Sequence, residues 1–353
     1  MTLIGKSIGL RNKINMQDIS NMNKIKYAFW GTGPLAESAL YALYKNNLEK
    51  AEKSSLSLEY IFTKPDAEVG RAKTLTAPMI KTWGESKSIK VIQPSKLRPS
   101  AEDLDINNPD NKIDGYNLLK AILSDMDVCI VASYGKIIPQ ELLELPKYGF
   151  INIHPSNLPE FRGPSPIESQ LLNNYKELVI SIMKLDAGMD SGDIIIKNKI
   201  DITELDTTQS LELKAGQVGG ELLFNILPDY VGGNIKSVMQ DESSKTICKF
   251  IKKEDGEIKL SIQEILIEIS REKLSEIKSK HRAYYPWPGI FFFLKHKIHS
   301  EEKEIRIKIS EVNLNNSSSD GAQKLEDIIL KVIPEGRKEI SFEDFKRGYL
   351  ENN

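Results

Sequence analysis

Two short segments hold most of the side chains able to do chemistry. Asn152-Ile153-His154 closes an apolar run, FINIH, and Pro155-Ser156-Asn157-Leu158-Pro159 follows it. If FINIH is a strand, alternation puts Asn152 and His154 on one face. An amide N–H beside a titratable imidazole suits acyl transfer. The amide stabilises a developing oxyanion while the imidazole moves a proton. Taken alone, the pair also fits a hydrogen-bonded structural histidine. The second segment is Asp186-Ala187-Gly188-Met189-Asp190-Ser191-Gly192-Asp193. Its acids and glycines invite a Ca²⁺ reading, but the ligand spacing of a helix–loop–helix calcium site is absent. It reads either as an Asx-rich turn or as the carrier of one carboxylate aimed at His154, holding its tautomer and its charge.

Two further segments carry weaker signals. Gly31-x-Gly33-x-x-Ala36 matches the dinucleotide-binding turn in its alanine form. That fold also wants an acid about 20 residues on. The nearest candidate, Asp66, lies 35 positions past Gly31 and beyond Pro65. A plain strand-to-helix turn explains the glycines equally. Lys64–Lys81, with Gly70-Arg71-Ala72-Lys73, reads as a cationic loop over a site or as a solvated loop.

Elements that position these residues follow from apolar periodicity. Strands are expected at Tyr27–Trp30, Leu58–Phe62, Lys90–Gln93, Asp127–Ala132, Phe150–His154, Leu178–Leu185 and Ile194–Ile202. Helices are expected at Leu35–Tyr44, Gly163–Asn174 and Thr207–Leu227. Such alternation predicts an α/β fold with a doubly wound, mainly parallel sheet, Rossmann-like in outline. A polar break near Gln240–Thr246 (QDESSKT) leads to a helical stretch, Ile262–Lys280. Strands at Ile290–Leu294, Glu304–Ile309 and Asp327–Ile333 and a helix at Phe342–Leu350 come next. This half is expected to be a smaller β-rich domain. The predicted division is 26–240, a 241–246 linker, and 247–353. Residues 102–115 and Asn313–Asp320 read as polar loops. Residues 1–25 read as a disordered or non-native extension, with no secretory signal because no apolar segment follows their charges.

Composition narrows the function. A chain of 353 residues is long enough for two domains. Its 48 Lys and Arg against 50 Asp and Glu exclude a generally basic polyanion binder, so any nucleic-acid contact must be local. Aromatics at 7% disfavour a base-stacking single-strand binder. The two cysteines, Cys129 and Cys248, are too far apart for a Cys-rich metal site and fit a reducing, cytoplasmic compartment. Four histidines, at 154, 281, 296 and 299, argue against a His-based metal site. No uncharged apolar run reaches membrane-spanning length, since even Ile290–Leu294 ends at Lys295.

Taken together, DVCIVASYGKIIP, GFINIHPSNLPEFRGPSPI and MKLDAGMDSGDI resemble the folate-dependent formyltransferases from about Lys26 to Leu350. Asn152, His154, Ser156, Leu158, Pro159, Arg162, Gly163, Asp190 and Asp193 fall on that family's pattern. Pro155 and Asn157 depart from it, standing where glycine and leucine are usual. The resemblance is strongest to the branch acting on charged initiator tRNA. Its carriers are the Gly70–Lys73 loop, the Pro286-Trp287-Pro288-Gly289 turn, and Pro334–Lys338 followed by FEDFKRGY. The stretch between Gly289 and Pro334 is shorter than that branch usually has.

The resemblance implies a small barrel-like (OB-like) second domain that contacts tRNA. It implies transfer of the formyl group of 10-formyltetrahydrofolate to the α-amino group of methionyl-initiator tRNA. The same resemblance makes Asn152, His154 and Asp190 catalytic. It sets folate beside Ser156, Asn157, Leu158, Pro159, Ile137 and Ile138, and tRNA beside Arg71 and Lys73, with no metal. The Arg271–Arg282 run, rich in Lys and Arg, reads as a phosphate-docking stripe or as a solvated helix face. A monomer is expected. The runner-up acceptor is an amino-sugar nucleotide.

Overall fold

The computed structural model describes residues 24–50, 56–70, 72–99, 115–298, 301–315 and 323–350. Most of the 1–25 extension, most of the 102–115 loop, Arg71 and much of the Asn313–Asp320 loop therefore lie outside the described residues. The chain starts with β1 (Ile25–Gly31), α1 (Pro34–Glu49) and β2 (Leu56–Phe62). A hairpin of β3 (Ala67–Val69) and β4 (Thr74–Thr76) then precedes α2 (Met79–Ser86) and β5 (Lys90–Ile92). Next come α3 (Gly115–Ser124), β6 (Val128–Ala132), α4 (Gln140–Leu143) and β7 (Phe150–His154). The first half closes with α5 (Pro166–Leu172), β8 (Glu177–Lys184), β9 (Ile194–Asp201) and α6 (Thr208–Val231).

The main sheet runs β5-β2-β1-β6-β7-β8-β9. Its first five strands are parallel, β8 runs opposite to them, and β9, antiparallel to β8, returns to their direction. Period-two burial explains why it is covered on both faces. Tyr27 and Phe29 of β1 join the core that includes α1 and α6. Ala28 and Trp30 face the other way, toward Leu119 and Leu123 of α3 and Leu142 of α4. Helices α1 and α6 touch backbone to backbone. A Cβ on Gly216 would sit 2.4 Å from the Leu35 carbonyl, and one on Gly220 2.3 Å from that of Ala39. The same helix face carries Gly219, whose missing Cβ makes room for Ile153 of β7. The glycine face of α6 thus seats the strand that carries Asn152 and His154.

The second half holds α7 (Ile262–Leu266), α8 (Arg271–Ala283), β10 (Ile290–Ile298), β11 (Glu301–Val312), β12 (Ile329–Pro334), β13 (Ile340–Ser341) and α9 (Phe342–Tyr349). Its four strands form one antiparallel sheet, β10-β11-β12-β13. Helix α8 packs on α5. The Arg282 guanidinium is buried and donates to the carbonyls of Asp206 (2.8 Å) and Thr203 (2.7 Å), tying α8 to the first half.

Several expectations shift. The first strand begins at Ile25, two residues before the Tyr27 expected. The single helix expected over Ile262–Lys280 is two, because Ser261 and Ser270 each cap a separate start. Helix α5 is shorter than Gly163–Asn174, because the residues before Pro166 bond elsewhere. Lys64–Lys81 is a hairpin and part of a helix, and Gly115–Ser124 is helical where no helix was expected.

One prediction arises where α1, α5 and α6 meet. Burial pushes the Glu212 carboxyl up to about 7, and the Glu168 and Glu37 carboxylates add repulsion. A carboxyl whose folded pKa exceeds its unfolded value costs stability as pH rises from 4.5 through about 7. Glu212→Gln should therefore raise the unfolding midpoint by a few degrees at pH 8, on the order of 1–2 kcal/mol, and give no gain at pH 5. Thermal unfolding of both proteins at the two pH values checks this, and an equal gain at both refutes it.

Candidate active site

Strand β7 is five residues long and buried throughout. Phe150, Asn152 and His154 share one face, while Ile151 and Ile153 point into the α6 side of the core. Asn152 lies beside Val131 of β6 and Met183 of β8, and His154 beside Ser181. The pair therefore sits at the carboxyl end of a parallel strand, where open α/β sheets hold ligands. The Asn152 carboxamide is largely buried, yet it has no hydrogen-bond partner among the described residues. An amide with no partner in the protein is available to a ligand.

The loop after β7 folds back on the strand. Ser156 N–H donates to the His154 carbonyl (2.9 Å), and Ser156 Oγ donates to the Glu160 carbonyl (2.6 Å). This return brings the Phe161 carbonyl to His154 Nε2, 2.9 Å away. A carbonyl only accepts, so Nε2 carries a proton and Nδ1 is the nitrogen left for chemistry. Asp190 Oδ2 lies 3.7 Å from Nδ1, with both side chains largely buried. That is ion-pair range, beyond hydrogen-bond length. The Phe161 carbonyl, rather than Asp190, is the group that sets the His154 tautomer, and the Asp190 carboxylate faces Nδ1.

Asp190 is held by a backbone donor. Gly163 N–H points at its Oδ2 at 2.7 Å. Gly163 has φ of 112°, and a Cβ there would stand 2.7 Å from the Cys248 carbonyl. Only glycine fits that position. The other acids of the turn are committed. Asp186 accepts from Gly188 N–H and Ser191 Oγ, closing an Asx turn. Asp193 accepts from Ser237 Oγ. Among the described residues no cluster of His, Cys, Asp and Glu could hold a metal ion.

The expected linker is the third wall of the site. Gln240 is buried and bonds Arg162, Asp190 and Gly192. Thr246 Oγ1 accepts from Phe161 N–H (2.8 Å), and Ile247 bridges in parallel to Arg162. Sequence reasoning missed both the Phe161 carbonyl and Gln240. The first is a backbone atom with no side-chain signature, and the second lies in a polar run.

Burial sorts the folate candidates. Ser156, Leu158 and Ile138 are buried, and the Ser156 hydroxyl is already spent, so these side chains pack the wall and do not present themselves. Asn157 and Ile137 are exposed and Pro159 is half-buried. Lys197 Nζ fixes this edge through Asn157 Oδ1 (2.7 Å) and the Leu158 carbonyl (2.6 Å). Of the tRNA candidates, Lys73 is exposed on the β3–β4 hairpin, near Glu68, and Arg71 lies outside the described residues. In the basic run 271–282 three cations are engaged within the protein. Lys273 and Lys280 pair with Glu276, Lys280 also reaches the Glu257 carbonyl, and Arg282 is buried.

The glycine turn has a packing cause. A Cβ on Gly31 would meet Ala36 Cβ and the Ala132 carbonyl at 2.5 Å. Asp66, the nearest acid for a dinucleotide, is held by Lys81 and Gln93.

Comparison with known proteins agrees with this geometry. The family model described as "Formyl transferase" matches residues 27–227. The chain is 32% identical to the methionyl-tRNA formyltransferase of Caldicellulosiruptor saccharolyticus, over 91% of this chain and 96% of that protein. Solved structures resemble the fold. A methionyl-tRNA formyltransferase from Clostridium thermocellum aligns with TM-score 0.50 at 18% identity, covering 90% of this chain and 99% of that one. A 4-N formyltransferase from Francisella tularensis aligns with TM-score 0.52 at 15% identity, covering 80% and 97%.

Proposed function

Because the chain belongs to the formyl transferase family, we propose that it transfers the formyl group of 10-formyltetrahydrofolate to the α-amino group of methionyl-initiator tRNA, for the initiation of protein synthesis. The observation that carries this reading is the meeting of three groups. They are an unengaged Asn152 carboxamide, the Nδ1 side of His154, and the Asp190 carboxylate 3.7 Å from it. Full-length likeness to enzymes named for the tRNA reaction supports the acceptor.

The residues present fit a formyl-folate donor. Asn152 has amide protons to give, and Ile137 leaves an apolar side chain exposed in the loop between β6 and α4. The acceptor amine attacks as the free base. An α-amino group has pKa about 7.7–8.0, and esterification to tRNA lowers it, so near neutrality the amine is largely the free base and the task is positioning more than activation. Asn152 donates to the oxygen of the formyl group as negative charge develops there. His154, anchored through Nε2, takes the proton shed by the amine at its free Nδ1, and Asp190 stabilises the imidazolium that forms. The amine gains its bond to the formyl carbon, the carbon–N10 bond breaks, and the proton shed by the amine ends on N10. His154 Nδ1 and Asp190 are the groups placed to relay that proton.

We assign residues 26–240 to catalysis, 241–246 to a connector and 247–353 to tRNA binding, with Lys73 and Arg71 on the tRNA side. One chain carries all three catalytic groups, so the reading needs no second subunit. Cys129 and Cys248 are free, buried thiols, which suits the cytoplasm. Among the described residues no helix is long and apolar enough to cross a membrane. The test offers labelled 10-formyltetrahydrofolate to methionyl-initiator tRNA and to a 4-amino-sugar nucleotide side by side. Label should pass to the tRNA alone. Transfer to the sugar nucleotide in its place would overturn the acceptor assignment.

A further inference from the structure

We propose that Gln240 is a positioning residue that sets the Asp190 carboxylate against His154. The proposal rests on the reading that Asn152, His154 and Asp190 carry the transfer. Gln240 is 5% exposed, and its carboxamide is spent on partners within the protein. Its Nε2 donates to the carbonyls of Asp190 (2.9 Å) and Gly192 (2.7 Å). Its Oε1 accepts from Arg162 Nε (3.0 Å) and Nη2 (2.8 Å). A carboxamide has two donor protons and two acceptor lone pairs, and here all four are used.

The orientation is not arbitrary. A guanidinium only donates and a backbone carbonyl only accepts, so the oxygen must face Arg162 and the nitrogen the turn. Each side belongs to a loop that the site depends on. The Arg162 side carries the Phe161 carbonyl, which anchors His154, and Gly163 N–H, which holds Asp190. The other side is the turn carrying Asp190 itself, at φ 52°. A left-handed backbone at a non-glycine residue persists only where surrounding contacts hold it. The two bonds from Gln240 Nε2 go to that turn. Gln240 therefore fixes the spacing between the two loops, and with it the distance from the carboxylate to Nδ1.

Arg162 also pairs with Glu242 at 2.6 Å, so the strut begins in the chain that leads to the second half. No pattern in the sequence marks Gln240, which opens the polar run QDESSKT. The bonds it makes span 48 to 78 positions.

Gln240→Glu tests this without changing side-chain volume. The carboxylate keeps both bonds from Arg162 and cannot donate to the turn. We expect kcat for formyl transfer to fall about 10- to 100-fold, as a displaced catalytic group would cause. KM for the folate and for the acceptor should stay within about twofold. The deciding measurement is a double-mutant cycle with Asp190→Ala. If Gln240 acts through Asp190, the Gln240→Glu cost nearly vanishes when Asp190 is already alanine. An equal fold loss in both backgrounds overturns the proposal, as does a change confined to KM. Gln240→Leu repeats the cycle with the strut removed, and Gln240→Glu carries it alone if the leucine protein fails to fold. The cycle is run on whichever acceptor the wild type formylates. Loss of the acceptor assignment and loss of the Gln240 assignment therefore read out separately.

Discussion

Asn152→Ala should lower kcat for formyl transfer by about 10²–10³ and leave the fold unchanged. Two features make both halves of that expectation follow. The carboxamide sits at the carboxyl end of β7 on the same face as His154, where a reacting carbonyl oxygen would lie. Removing one donor from an oxyanion site typically costs about this much. The carboxamide also makes no hydrogen bond among the described residues, so truncation breaks none within the protein. Stability should therefore shift little. Single-turnover transfer of labelled formyl, read beside the unfolding midpoint, separates the two. Turnover within a few-fold of wild type would remove Asn152 from the chemistry. A large drop in the midpoint would mean that its role is packing.

The parts of the site legible in the sequence are those that local pattern encodes. FINIH alternates, so the shared face of Asn152 and His154 could be read before any fold was known, and β7 has the bounds expected. Apolar runs in β1, β2 and β6 likewise announced the parallel core of the sheet. What stayed hidden is fixed by long-range pairing. The partner of His154 Nε2 is a backbone carbonyl, which composition cannot mark. Gln240 lies in a run whose polarity suggested a free linker, and its burial comes from Arg162, 78 positions earlier. The Arg271–Arg282 run shows the opposite limit. Charge content is visible in a sequence, but whether Arg282 faces solvent or two carbonyls is decided by the docking of α8. Ser156 and Leu158 sit within a motif, yet tight return of the loop turns them inward.

Asp190→Asn isolates the charge from the geometry. Asparagine keeps an oxygen to accept from Gly163 N–H, the bond measured at 2.7 Å in the native protein. It also tolerates the left-handed backbone at φ 52° nearly as well as aspartate does. The turn, the Gln240 bonds and the Gly163 contact should all survive, and the negative charge alone is lost. Its worth follows from distance. Opposite unit charges about 4 Å apart interact by roughly 4 kcal/mol at the effective dielectric suited to partly buried groups. Asp190 stands 3.7 Å from Nδ1 and is only 17% exposed, so solvent screening is limited. Part of that attraction is already present before the transition state, and only the increase as the imidazolium forms lowers the barrier. The loss should therefore reach about 10²–10³ in kcat, short of the full interaction, since each 1.36 kcal/mol is about tenfold in rate. KM for either substrate should hardly move. Asp190→Ala removes the acceptor for Gly163 as well, and its further loss beyond the asparagine variant measures how much the turn's placement matters. If Asp190→Asn transfers formyl at near the native rate, the carboxylate's charge is not used, and the pairing with His154 is structural.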